Sequence, residues 1–224
     1  MFKRLGVLAA LHAAMVFALS AQTFTTLYSF GGENAAGNPV AALVQGADGQ
    51  FYGTSVHGGF LNYGALFKIT TAGTVTTLHA FCRAPLVSGT LAKSAPCPDG
   101  GFPYDTLVLA TNGDFYGTTE DGEANSAGTV FKFAPSGELS VLYNFCSQSG
   151  CTDGSDPYAG LVQATNGDFY GTTFKGGAFG DGTVFKMTPA GALSTLYSFC
   201  VKSTCADGST PYSGVVQATS ITVL

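Results

Sequence analysis

Apolar residues come along this chain in short bursts, separated by clusters of Gly, Pro, Asn and Asp. From position 107 the order is LVLA, the turn TNG, then DFYGTT, a Gly-rich loop, GTVFKF, the turn APSG and LSVLYNF. Bursts of this length, rich in β-branched and aromatic residues and bounded by turn formers, predict four consecutive strands. TNGD places Asn-Gly at a hairpin centre, where both residues tolerate positive φ. APSG reverses the chain again, Pro fixing φ and Gly free to turn left-handed. In the fourth strand Leu139, Val141 and Tyr143 read onto one face, and Leu142 and Phe145 onto the other.

The same pattern recurs. TNGDFYGTT stands at 111–119 and again at 165–173, and GADGQFYGTS at 46–55 is a looser copy. GALFK at 64–68 becomes GTVFK at 128–132 and 182–186; TTLYSF at 25–30 returns as TTLHAF, SVLYNF and STLYSF. Four antiparallel strands in a repeating unit are the pattern of a propeller blade, each sheet burying an apolar face against the next. The expected fold is therefore all-β, a β-propeller-like array of four-stranded antiparallel blades. Three blades are complete, at about 40–81, 104–145 and 158–199, with partial strands at 23–30 and 214–224. The Gly of FYGT is expected to admit a neighbouring ring or backbone. A β-solenoid is the rival architecture. Closed propellers need about four to eight blades. A truncated fragment of a longer array, or a three-blade half-ring that closes by dimerisation, would account for the shortfall, and the fragment is the favoured reading.

Residues 1–21 read as a secretory signal peptide: Lys3 and Arg4, an apolar run from Leu5 to Leu19, and small residues at the end. Its removal leaves 22–224 as one repeat domain and shifts the formal net charge from −5 to −7, since two cations and no anions depart. Seven Lys and Arg in an acidic chain argue against nucleic acid and against anionic membranes as partners. No later stretch is apolar enough to span a bilayer.

All six cysteines lie between the fourth strand of one unit and the first of the next, as Cys82 with Cys97, Cys146 with Cys151, and Cys200 with Cys205. The even count and local pairing in a secreted chain predict three disulfides. Zinc is disfavoured, because the spacing is wrong and no histidine accompanies the pairs. No nucleophile elbow, HExxH or Walker loop occurs. His79 takes the place of Tyr143 and Tyr197 in a strand, and His57 lies in a loop. Asp114 and Asp168 follow Asn-Gly and read as turn residues. Asp99, Asp153 and Asp207 precede Gly in the three connectors, followed by Tyr104, Tyr158 and Tyr212. Such a ring of Asp and Tyr would suit calcium or a sugar, with turn formation as the plain alternative. Asp121, Glu123 and Asn125 alternate like the start of a calcium loop, but Ser126 replaces the usual Gly and Lys132 the final Glu.

Taken together, GTVFKMTPAGALSTLYSF, the connector and LVQATNGDFYGTT resemble the bacterial GloVer tandem repeat. The resemblance covers nearly all of 23–219. It implies an extracellular or surface-attached repeat protein with varied C-terminal anchors, and it brings no catalytic residues. The expected function is a non-catalytic binding or display scaffold for a carbohydrate or protein ligand, without an obligate cofactor. The alternative is a polysaccharide-degrading enzyme using Asp99, Asp153 and Asp207.

Overall fold

The computed structural model describes residues 24–31, 36–82, 97–122 and 126–218. The chain forms β1 (Ala36–Gly37), β2 (Val44–Gln45), β3 (Phe51–Ser55), β4 (His57–Gly58), β5 (Ala65–Ile69) and β6 (Val75–Ala80). It continues with β7 (Val108–Leu109), β8 (Phe115–Thr119), β9 (Thr129–Phe133) and β10 (Leu139–Asn144). The last set is β11 (Val162–Gln163), β12 (Phe169–Thr173), β13 (Thr183–Met187) and β14 (Leu193–Ser198). Three four-stranded antiparallel sheets result, in the orders β2-β3-β5-β6, β7-β8-β9-β10 and β11-β12-β13-β14; β1 and β4 form a small extra pair. This is an all-β, propeller-like array of three complete blades. Residues 1–21, expected from the sequence to be a signal peptide, fall outside the described residues.

The hairpins differ from the expected turn. Gly49, Gly113 and Gly167 take positive φ, but Asn112 and Asn166 do not. Gly113 N–H donates to Ala110 O at 2.9 Å and Ala110 N–H to Asp114 O at 2.9 Å, a three-residue loop closed by a left-handed Gly. The Asn serves through its side chain: Asn112 Oδ1 accepts from Asp114 N at 3.0 Å, and its Nδ2 donates to Tyr116 Oη at 3.1 Å. The outer turns repeat the scheme, with Gly137 N–H donating to Ala134 O at 2.8 Å.

The alternation read in the fourth strand cannot hold in a regular strand, because Leu142 and Phe145 are an odd number of residues apart. The structure resolves it with a bulge: Val141 pairs Phe131 and Tyr143 pairs Val130, leaving Leu142 as the extra residue. Leu78 and Leu196 occupy the same place in the other blades.

Blade packs on blade through recurring rings. Tyr52 stacks on Phe115 with centroids 4.3 Å apart, and Tyr116 on Phe169 at 4.2 Å. Phe81 meets Phe131 edge-on at 5.3 Å, and Phe145 meets Phe185 at 5.2 Å. Each such pair adds about 0.5–1.5 kcal/mol beyond its buried area. Residues 24–31 carry no strand pairing, yet Phe30 sits on Phe67 at 5.1 Å, as Phe81 sits on Phe131. The glycine of FYGT is sterically required. A Cβ on Gly117 would lie 2.6 Å from the Phe131 ring, and one on Gly171 would lie 2.6 Å from Phe185.

Candidate functional site

Each blade reaches the next through a connector stapled in two ways. The disulfides Cys82–Cys97, Cys146–Cys151 and Cys200–Cys205 close it, and no described cysteine is free. Beside each bridge the connector aspartate is bound to the preceding fourth strand. Asp153 is fully buried; it accepts from Tyr143 Oη at 2.7 Å and from Ser147 N and Oγ at 2.9 Å. Asp207 accepts from Tyr197 Oη at 2.6 Å and from the amides of Val201 and Lys202. Asp99 takes the His79 ring at 2.7 Å and the Cys82 amide at 2.9 Å. His79 thus replaces a tyrosine in function as well as in position. The Asp–Tyr ring expected from the sequence is divided: Asp99, Asp153 and Asp207 are occupied inside the connectors, because each turn leaves several amides that need an acceptor.

The tyrosines of that ring do come together. Tyr104 and Tyr158 stand edge to face at 5.2 Å, and Tyr158 and Tyr212 lie 5.5 Å apart. Phe174 joins them, 5.4 Å from Tyr158 and 4.5 Å from Tyr212. Tyr104 and Tyr158 are half-buried, whereas Tyr212 is 67% exposed. Glu120 accepts from Tyr158 Oη at 2.5 Å and interacts with Tyr104. Asp156 pairs with Lys175 at 2.8 Å, and the Lys175 ammonium lies 5.8 Å from the centre of the Phe174 ring. Burial first, then Glu120, raises the Tyr158 hydroxyl well above its ordinary range and the Tyr104 hydroxyl above it, so both stay proton donors. The hydrogen bond to Asp156 keeps Lys175 charged.

The backbone positions these groups by one repeated latch. The residue before the last proline of each connector is left-handed: Asn38, Phe102, Asp156 and Thr210 have φ between 46° and 54°. Asp156 N–H donates to Ala127 O of the previous blade at 2.9 Å, and its carbonyl accepts from Phe174 N at 2.9 Å. Phe102 makes the matching bonds to Tyr63 O at 2.7 Å and from Glu120 N at 3.1 Å. The proline that follows presses on the glycine opening the third strand of the preceding blade: a Cβ on Gly128 would meet Pro157 Cδ at 2.4 Å. Glu120 and Phe174 are therefore equivalent residues of successive blades, both held at the latch. A groove of about 490 Å³ opens beside them, lined by Phe102, Glu120, Asp121, Ser155, Asp156 and Lys175 among others.

Glu120, Asp156, Phe174 and Lys175 were not singled out from the sequence. Their signal lay in contrast: Val56, Glu120 and Phe174 directly follow a nearly invariant phrase, yet differ from one another. Of the calcium-loop reading, Glu123 and Asn125 lie outside the described residues. Asp121 Oδ1 takes its own loop amide, Gly122 N, at 2.8 Å, and Lys132 sits 3.9 Å from Asp114. His57 pairs through its backbone with Gly37 and lies edge-on to Phe102 at 5.8 Å. Among the described residues one cluster has metal-ligand proximity, Asp181 with Cys200 and Cys205, and those two sulfurs are bonded to each other. No helix of the described residues is long and apolar enough to cross a membrane.

Among curated proteins none matches the chain. Among solved structures it is similar to one provisionally assigned as a gluconolactonase, with 15% identity and a TM-score of 0.42. That match covers 69% of this chain and 47% of the other, so the chain spans about half of that protein's length. The model of the Gloeobacter/Verrucomicrobia repeat matches residues 16–223, nearly the whole repeat array described above, and the chain belongs to that family.

Proposed function

We propose that this chain is a secreted, non-catalytic binding scaffold whose aromatic rim takes a carbohydrate. The observation that carries the reading is the run Tyr104–Tyr158–Tyr212 with Phe174, set beside Glu120 and the Asp156–Lys175 pair. Pyranose rings lay their C–H faces on aromatic side chains, while carboxylates and ammonium groups take the hydroxyls. The latch fixes the backbone on both sides of the groove, which lowers the ordering cost of binding. Three disulfides suit a chain that works outside the cell. Binding is favoured over glycan cleavage because the carboxylates first considered for catalysis are bonded to backbone amides and to tyrosine or histidine.

The test is retention of the mature, oxidised protein on a panel of neutral and acidic polysaccharides, followed by calorimetry on the best ligand. Tyr158→Ala and Glu120→Gln should each weaken binding by roughly tenfold, about 1.4 kcal/mol. Asp114→Asn, away from the rim, should bind like the parent. No retained glycan, or an unchanged affinity in both rim variants, sinks the reading. Release of reducing ends by the parent would favour the enzyme instead.

A further inference from the structure

Asn112–Gly113 and Asn166–Gly167 sit in the inner hairpins of the second and third blades, and both asparagines are exposed. A glycine nitrogen has no neighbouring side chain to hinder its approach to the preceding side-chain amide. The space beside each glycine is open, for a Cβ on Gly113 or Gly167 would meet no atom within 4 Å. The group that such a nitrogen would attack is polarised. Asn166 Oδ1 accepts from Asp168 N at 3.1 Å, and Asn166 Nδ2 donates to Asp168 Oδ2 at 3.2 Å. A backbone donor thus stands at the oxygen that would gain negative charge, and a carboxylate at the nitrogen that would leave. Asn112 and Asp114 repeat the arrangement at 3.0 and 3.1 Å.

One hydrogen bond restrains the nucleophile. Gly167 N–H donates to Ala164 O, and Gly113 N–H to Ala110 O, both at 2.9 Å. That bond has to open before the nitrogen can turn, so the rate follows local opening of the hairpin. The two hairpins differ in what holds them shut. Tyr116 is 1% exposed and takes Asn112 Nδ2 at 3.1 Å, whereas Tyr170 is only half-buried and takes Asn166 Nδ2 at 3.4 Å. Thr111 N donates to the half-buried Gln163 at 2.9 Å, and Thr165 N to the exposed Gln217 at 3.1 Å. The first blade carries the product residue by sequence. Asp48 stands in the place of the asparagines, and Gln50 in that of Asp114 and Asp168. Gln50 Nε2 donates to Asp48 Oδ2 at 2.7 Å, and Tyr52 Oη donates to the same oxygen at 2.9 Å. Each hairpin therefore pairs one carboxylate with one amide.

We propose that Asn166 is a site of spontaneous deamidation, and that the third-blade hairpin is the first to change. Gly167 N loses its proton to solvent base and bonds to Asn166 Cγ. The Cγ–Nδ2 bond breaks, ammonia leaves with a proton from water, and a succinimide ring remains. Water opens that ring at either carbonyl, leaving an aspartyl or isoaspartyl residue at 166. The sum is water taken up and ammonia released, with no oxidant or cofactor. The new carboxylate faces Asp168 without the amide that every hairpin otherwise supplies, and Lys186, 3.6 Å from Asp168, then serves two anions. The isoaspartyl form also adds an atom to the backbone, which shifts the hairpin out of register. Each event adds one negative charge to a chain that is acidic from the start.

The experiment is peptide mapping by mass spectrometry of the mature, oxidised protein after incubation at neutral and mildly alkaline pH, with an unfolded, reduced sample in parallel. Deamidation reads as a gain of about one dalton, located by fragment ions, with an isoaspartate assay on the same peptides. In the folded chain residue 166 should gain mass several-fold faster than residue 112, and faster as pH rises. In the unfolded chain the two should react alike. Asn166→Asp combined with Asp168→Gln rebuilds the first-blade hairpin; it should melt like the parent and show no gain in that peptide. A folded chain in which residue 166 stays unmodified while the unfolded chain reacts overturns the proposal. So do equal rates at 112 and 166 in the folded chain, or a gain that persists in the double variant.

Discussion

Gly117 shows how closely a single atom is specified here. It lies in mid-strand, and a Cβ would fall 2.6 Å from Phe131 Cζ and 3.0 Å from Leu107 Cδ2. Gly117→Ala should therefore destabilise the chain by about 1–3 kcal/mol, the range for overpacked cores, read as a lower melting midpoint. An unchanged midpoint would mean that Phe131 has room to move aside. The need for Gly in FYGT was legible in the sequence, because the residue stands inside a strand in all three copies. The occupants of the connector carboxylates were not. An aspartate before Gly looks the same whether it faces solvent or caps a turn, and only the fold brings Tyr143 to Asp153. The rim tyrosines could be named from the sequence, whereas their partners Glu120 and Asp156 sit where the copies disagree and repetition gives no guide.

Among the elements, the connectors are where pH acts. The Tyr197 hydrogen bond, helped by the amides of Lys202 and Val201, lowers Asp207 from its ordinary 3.8 to about 2. A depressed carboxylate contributes stability that is full above its unfolded value and is lost as pH falls through the folded one. The third connector should accordingly hold at pH 4 and loosen toward pH 2. Carboxyl resonances of Asp207 and the amides of Val201 and Lys202, followed by NMR, should share a midpoint near 2. A midpoint near 3.8 would show that the hydroxyl does not hold the carboxylate. The four strands of each blade, their order and the hairpin positions were readable from the pattern of apolar bursts and turn residues; the β1–β4 pair was not, and residues 24–31 and 214–218 do not form the partial strands expected there. The bulge at Leu142 was not, since a run of apolar residues on both faces carries no mark of which one is extra. Nor was the left-handed residue before the last proline of each connector, because Asn38, Phe102, Asp156 and Thr210 share no side-chain chemistry.

For the whole molecule, cohesion resides between blades. The second blade is covered on both sides, while the third has one face only half-covered. Local opening should follow that order. Hydrogen exchange in dilute solution should protect the amides of β8 and β9 longest and release β14 first; uniform protection across the three sheets would indicate a single cooperative unit. The array shape was legible because repetition is visible in the letters.

The identical phrase at 111–119 and 165–173 has a genetic consequence. Excising residues 111–164 joins Ala110 to Thr165 and leaves LVLATNGDFYGTT unbroken, with one blade gone. The stacking tyrosine and phenylalanine lie within the phrase itself, so such a recombinant keeps every ring in register. Duplication by the same slip would lengthen the array just as cleanly. Blade number in this architecture is thus a quantity that unequal crossing-over can change in whole steps, without a defective intermediate between one length and the next.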